Sequence, residues 1–123
     1  MALLESGENY LETILVLSQR NGSVRSIDIA NEMEFTKASV SRAMSILKKE
    51  NYIIMEADGS IRLTKDGLQR ATEVYDRHVT LTDFFVKVLG VSKEIAEKDA
   101  CKIEHVISQE TFEGIKALVA KTE

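Results

Sequence analysis

Proline and tryptophan are absent from this chain of 123 residues, cysteine occurs once and histidine only twice. The absence of proline excludes Pro-rich linkers and suits long helices. A single cysteine, Cys101, excludes an intramolecular disulfide framework, and a reducing cytoplasm is its simplest setting. No apolar run approaches the roughly 18 residues of a membrane span, so no membrane association is expected. The opening Met1-Ala2-Leu3-Leu4-Glu5 has no basic segment leading into a long apolar one, so a secretory signal is not expected either. The chain lacks a nucleophile elbow, a phosphate loop and a His-Glu-x-x-His motif, which argues against an enzyme and against a small-molecule substrate.

What remains is an ordinary globular composition, 44% hydrophobic and 29% charged. The formal net charge of −4 counts by itself against nucleic-acid binding, because phosphate neutralisation supplies much of that affinity. The distribution matters more. Between Thr36 and Lys65 the bases Lys37, Arg42, Lys48, Lys49, Arg62 and Lys65 outnumber the acids Glu50, Glu56 and Asp58. Acids gather instead at Glu5, Glu8 and Glu12, and again at Glu94, Glu97, Asp99 and Glu104. A bound divalent cation would relieve the strain of an acidic cluster in a protein with a basic face.

Apolar spacing predicts a helix over 5–20, stopped by Asn21-Gly22. Ser26 is read as the N-cap of a short helix through Met33, and Thr36 as the cap of a second helix to about Lys49. Val40, Ala43, Met44 and Leu47 form that helix's apolar stripe. Strand-forming residues at 52–55 and 60–63 flank a turn at Ala57-Asp58-Gly59. Thr64 then caps a long helix to about Leu89, with Gly90 as its stop. A helix from Ser92 to about Ile107 and a last one capped by Ser108 complete the chain. Helix, helix–turn–helix, hairpin and long helix in that order read as a winged helix with a helical extension.

In such a pair the second helix enters the major groove by its N-terminal end. Lys37, Ala38, Ser41, Arg42 and Ser45 lie opposite the apolar stripe. Arg42 suits a bidentate contact to guanine, Ser39 and Ser41 a phosphate or base, and Ala38 a thymine methyl. Lys37 and the wing's Arg62 suit phosphate. A solvated helix face has the same composition; the hairpin that follows favours DNA.

Cys101, Glu104 and His105 stand at i, i+3 and i+4, so a helix carries them on one face, and Glu97 precedes them by one turn. Thiol, carboxylate and imidazole are donors a first-row transition metal accepts. The other histidine, His78, falls on the inner stripe of the long helix with Ala71, Val74, Tyr75 and Phe85. Glu8, Asn9 and Glu12 offer oxygen donors near the start. Each residue alone also reads as a core histidine, a small buried thiol or a surface charge. Burying Glu104 beside His105 and Cys101 without a cation would carry a desolvation cost.

Taken together, the chain resembles the diphtheria toxin repressor family, which includes the manganese transport regulators. The resemblance rests on 8–14 (ENYLETI), Ile29-Ala30, Ser39-Val40-Ser41, 63–67 (LTKDG), Arg77-His78 and above all 99–108 (DACKIEHVIS). It implies a homodimer that represses metal-homeostasis genes by binding a pseudo-palindromic double-stranded DNA operator when loaded with Fe(II) or Mn(II). It implies Cys101, Glu104 and His105 as metal ligands with Asn9, and His78 as a ligand of the same or a neighbouring site. Glu12 matches a carboxylate of the manganese-type members, and Glu97 falls where iron-type members have a ligand. Asn9 stands where the manganese type has Asp and the iron type Met, Cys101 is iron-type, and Thr82 replaces a usual carboxylate. Because the chain stops at Glu123, the SH3-like domain of longer members is expected to be missing.

The expected fold is mainly α: a winged helix–turn–helix DNA-binding domain over 1–72, then an all-helical dimerisation and metal-binding domain over 73–123. The expected mechanism is a metal ion stapling the first helix to the later ones and so setting the spacing of two recognition helices. The alternative is a metal-independent winged-helix regulator with Cys101 as a redox sensor.

Overall fold

The computed structural model describes residues 5–122. In order it contains α1 (Glu5–Asn21), α2 (Ser26–Met33), α3 (Lys37–Lys49), β1 (Ile53–Met55), β2 (Ile61–Leu63), α4 (Lys65–Lys87), α5 (Lys93–Ile103) and α6 (Gln109–Thr122). The chain divides into two compact units, one reaching to Thr72 and the other starting at Glu73.

The first unit is built on α1, whose Tyr10, Leu11, Ile14, Leu15 and Leu17 are all buried. They meet Ile29 and Ala30 of α2, Val40, Met44 and Leu47 of α3, Ile53 and Ile61 of the hairpin, and Ala71 of α4 in one core. Burial of this apolar surface is the main force holding the unit, at about 25 cal/mol per Å² removed from water. Between α2 and α3, Glu34 takes a left-handed conformation with φ of 57°. Thr36 then caps α3 by accepting the Ser39 N–H at 3.1 Å. The antiparallel strands pair Ile53 with Leu63 and Met55 with Ile61. Val24, ahead of α2, lends its carbonyl to the Ile61 N–H at 2.7 Å, tying the wing's root to the helix pair. Thr64 caps α4 by accepting the Gly67 N–H at 3.0 Å. Gly67 lies so close to the Tyr52 carbonyl that a Cβ there would overlap it.

In the second unit the rest of α4, α5 and α6 bury Val74, Leu81, Ala96, Ala100, Phe112 and Val119. Gly90, with φ of 72°, turns the chain after α4. Ser92 caps α5 by accepting the Ile95 N–H, and Ser108 caps α6 by accepting the Thr111 N–H. Lys116 on α6 pairs with Asp76 on α4 at 3.2 Å.

Three expectations need correction. The N-cap of α2 is Arg25 and not Ser26, because the Asp28 carboxylate reaches back to the Arg25 N–H at 2.9 Å. The helix after Ser92 ends at Ile103, four residues early, so Glu104 and His105 lie in a turn. Tyr75, expected on the inner stripe of α4, is 37% exposed, as is much of Val79 one turn later.

Candidate metal centre and nucleic-acid interface

In the first unit α3 presents two faces. Val40, Met44 and Leu47 anchor it to the core, and Lys37, Ala38, Ser41, Arg42 and Ser45 are exposed along the other side. Ser39 is half-buried; its hydroxyl accepts from the Thr36 hydroxyl at 3.0 Å, so it serves the cap as well as facing outward. Arg62 on β2 is exposed and lies 3.4 Å from Glu56 within the wing, an exposed pair worth little and free to exchange for another anion. The turn between the strands is drawn in by Asp58, which accepts the Ser60 N–H at 2.9 Å. That backbone hydrogen bond, then one from the Ser60 side chain, holds Asp58 below the usual carboxylate range, with Arg25 at 4.0 Å adding its charge. Phe35, just ahead of the α3 cap, is half exposed and packs edge-on against Tyr10, ring centres 6.0 Å apart. Sequence spacing gave no sign of this aromatic at the N-terminal end of α3; its place directly before the cap was the available signal. Burial raises the Tyr10 hydroxyl above its ordinary range.

Asn9 and Glu12 stand one turn apart on α1, both half-buried. The Asn9 carbonyl also accepts the Thr13 hydroxyl at 2.9 Å. Their neighbour Glu8 reaches Arg70 at 3.9 Å.

In the second unit, Glu104 is the one charged side chain among the described residues whose whole residue is buried, with its carboxylate at 0% exposure. His78 of α4 brings Nδ1 to 2.9 Å from one carboxylate oxygen. His105 brings Nε2 to 3.2 Å from the other, its own side chain also fully enclosed. A carboxylate flanked on both oxygens by imidazoles is an N/O donor set suited to a divalent first-row metal, and the residues fit such an ion. Thr82, buried one turn after His78, donates its hydroxyl to the His78 carbonyl at 2.8 Å, so it serves the helix where a ligand was conceivable. Glu97 and Cys101 sit on α5 and are exposed. The cross-helix meeting of His78 with Glu104 spans 26 residues and was beyond any local spacing rule.

A winged helix–turn–helix followed by a helical unit with a carboxylate–imidazole cluster defines a class: DNA-binding regulators governed by a metal ion. Residues 2–61 match the iron dependent repressor N-terminal DNA binding domain, and residues 64–123 match the iron dependent repressor metal binding and dimerisation domain. An uncharacterised HTH-type transcriptional regulator of Methanocaldococcus jannaschii is 30% identical over 118 residues, 95% of this chain and 94% of that protein. The HTH-type transcriptional regulator MntR of Shouchella clausii is 35% identical over 114 residues, covering 93% of this chain and 79% of MntR. Among solved structures, the IdeR of T. acidophilum superposes with a TM-score of 0.84 at 22% identity, over 98% of this chain and 55% of IdeR. A manganese-dependent transcriptional repressor in complex with manganese gives 0.86 at 22%, over 93% of this chain and 52% of that one. At that identity the likeness is one of fold, and the chain spans about half the length of these two solved proteins. The chain belongs to the iron-dependent, or diphtheria toxin, repressor family, and is a metal-dependent DNA-binding transcriptional repressor.

Proposed function

We propose that this protein is a homodimeric repressor that binds a double-stranded DNA operator of metal-homeostasis genes when Fe(II) or Mn(II) is present as co-repressor. The observation that carries the reading is the fully enclosed Glu104 carboxylate with an imidazole on each oxygen. His78, Glu104 and His105 are the proposed core of the ligand set, with Asn9, Glu12, Glu97 and Cys101 assigned to it through the family resemblance. When bound, the ion supplies positive charge where acidic side chains collect. A thiolate ligand at Cys101 and a neutral Asn9 would favour Fe(II) over Mn(II) relative to an all-carboxylate site.

On the DNA side, Lys37, Ala38, Ser39, Ser41 and Arg42 form the proposed reading edge, with Arg62 of the wing on phosphate. Half-exposed Tyr75 and Val79 follow each other at i, i+4 along α4, an apolar strip that supports a protein-covered, dimeric state. No helix among the described residues is long and apolar enough to cross a membrane. We place the protein in the cytoplasm and assign it no catalytic activity. Metal binding selects the dimer geometry that fits two half-sites, shifting a population that the apo protein samples only in part.

Operator binding by fluorescence anisotropy under anaerobic conditions tests this. Fe(II) or Mn(II) should tighten binding and chelator should reverse it; identical curves in both would defeat the proposal. Exposure of Cys101 keeps one rival in view, a thiol whose oxidation controls DNA binding. Cys101→Ser separates the two, since only a redox sensor would lose an oxidant response while keeping its metal affinity.

A further inference from the structure

Resting on the metal-centre reading above, we propose that Arg77 is a positioning residue for that centre: it clamps the turn that carries Glu104 and His105 and so fixes both against His78. α5 stops at Ile103; Glu104 is its C-cap, donating its N–H to the Ala100 carbonyl, and the chain then turns through His105. The end of a helix leaves carbonyls that need partners from elsewhere. Backbone N–H groups take the Ala100 and Ile103 carbonyls, and Arg77 takes two carbonyls of the turn that follows. Its Nη1 donates to the Glu104 carbonyl at 3.1 Å and to the Ile107 carbonyl at 2.9 Å. Its Nη2 donates to Gln109 Oε1 at 2.7 Å, and the guanidinium lies over the Phe112 ring, 5.3 Å from its centre. One side chain therefore grips the turn at both ends and seats it on α6.

The clamp and a cluster histidine are consecutive residues of one helix. Arg77 holds the backbone of Glu104, and His78 meets the side chain of the same residue at 2.9 Å. Glu104 is thus located from two directions by one turn of α4, and His105 follows it in the clamped segment. A positive charge beside the last carbonyls of α5 is also favourable with respect to the helix dipole. Three acceptors and a ring face call for a planar, forked cation; a lysine ammonium has no flat face and a different reach. Lys116 offers a contrast, since it too lies over Phe112, at 5.8 Å, yet it pairs with Asp76 and fastens α6 to α4.

The test uses the full chain carrying Arg77→Met, Arg77→Lys or, as a control for general loosening, Lys116→Met. Mn(II) affinity is read by calorimetry and ligand geometry by the Co(II) d–d absorption spectrum, at a temperature where circular dichroism shows each variant folded. Arg77→Met should lose roughly 10–100-fold in Mn(II) affinity, the range for residues that orient metal ligands. Arg77→Lys should lose less and, like Arg77→Met, change the Co(II) bands. Lys116→Met should keep wild-type affinity and bands even if it melts earlier. Wild-type affinity and spectrum in Arg77→Met would overturn the proposal, and if that variant does not fold, the same result in Arg77→Lys would do so. An equal loss in Lys116→Met would also overturn it. If the unaltered protein took up neither ion, the metal-centre reading itself would fall.

Discussion

Replacing His78 by alanine should cost the metal-free protein more stability than replacing Glu104 by glutamine, although Glu104 is the more deeply buried. His78→Ala leaves a carboxylate at 0% exposure with one flanking imidazole in place of two. Removing one partner from a buried carboxylate leaves its charge under-compensated, at about 3–5 kcal/mol when that partner is itself charged. His78 is itself 24% exposed and His105 still sits at 3.2 Å, so the lower edge applies. We expect about 3 kcal/mol, or roughly 12 °C in melting temperature for a domain of this size. Glu104→Gln removes the charge and keeps the volume. Its amide keeps a hydrogen-bond partner in His78 and buries no charge, so the loss should be about 1 kcal/mol. The double variant should then be more stable than His78→Ala alone, with a coupling of about 2 kcal/mol. Urea melts of all four proteins in chelator, at one protein concentration, complete the cycle. Repeating them with Mn(II) at about 100 times its dissociation constant should add about 2.7 kcal/mol to the unaltered protein and little to Glu104→Gln. The reasoning fails if Glu104→Gln costs as much as His78→Ala, or if the two effects simply add.

Other consequences reach the rest of the chain. Arg42→Ala should weaken operator binding by about 1–3 kcal/mol and relax one base position, whereas Lys37→Ala should weaken all sequences alike and lower the salt slope by about one; anisotropy titrations across salt and operator variants check both. Gly67→Ala should destabilise by about 3 kcal/mol in thermal melts, because its Cβ overlaps a backbone carbonyl that cannot swing aside. Asp58 is held below its ordinary 3.8, so its contribution to the wing is complete above that pH and is lost as pH falls through the lower folded value. Asp58→Asn should therefore flatten the acid limb of wing-amide protection in hydrogen exchange, lowering neutral-pH protection toward the level the unaltered protein shows in acid.

The helices and the wing were legible where local chemistry decides them. Thr36, Thr64, Ser92 and Ser108 each cap the helix that sequence assigned to them, because a side-chain oxygen three residues ahead of an orphan N–H needs no tertiary help. Ser26 misled because the cap forms one residue earlier, where the Asp28 carboxylate accepts the Arg25 N–H and the Arg25 carbonyl accepts the Asp28 N–H. The end of α5 was illegible for a plainer reason: Ile103, Val106 and Ile107 continue a helical apolar pattern with no glycine or proline to stop it. What stops it is long-range, the Arg77 guanidinium taking the Glu104 and Ile107 carbonyls from α4. The candidate site divides the same way. Glu104 and His105 stood out as adjacent donors, whereas the contact of His78 with Glu104 exists only after α4 and the turn have packed.

The central claim is that metal occupancy and operator binding are one linked equilibrium, and linkage requires the effect to be reciprocal. Mn(II) affinity should therefore be measured anaerobically with and without a saturating operator duplex. The account predicts tighter Mn(II) binding in the presence of the operator, by the same factor that Mn(II) tightens the operator, typically 5–150-fold for such coupling. Equal Mn(II) affinities with and without DNA would contradict it.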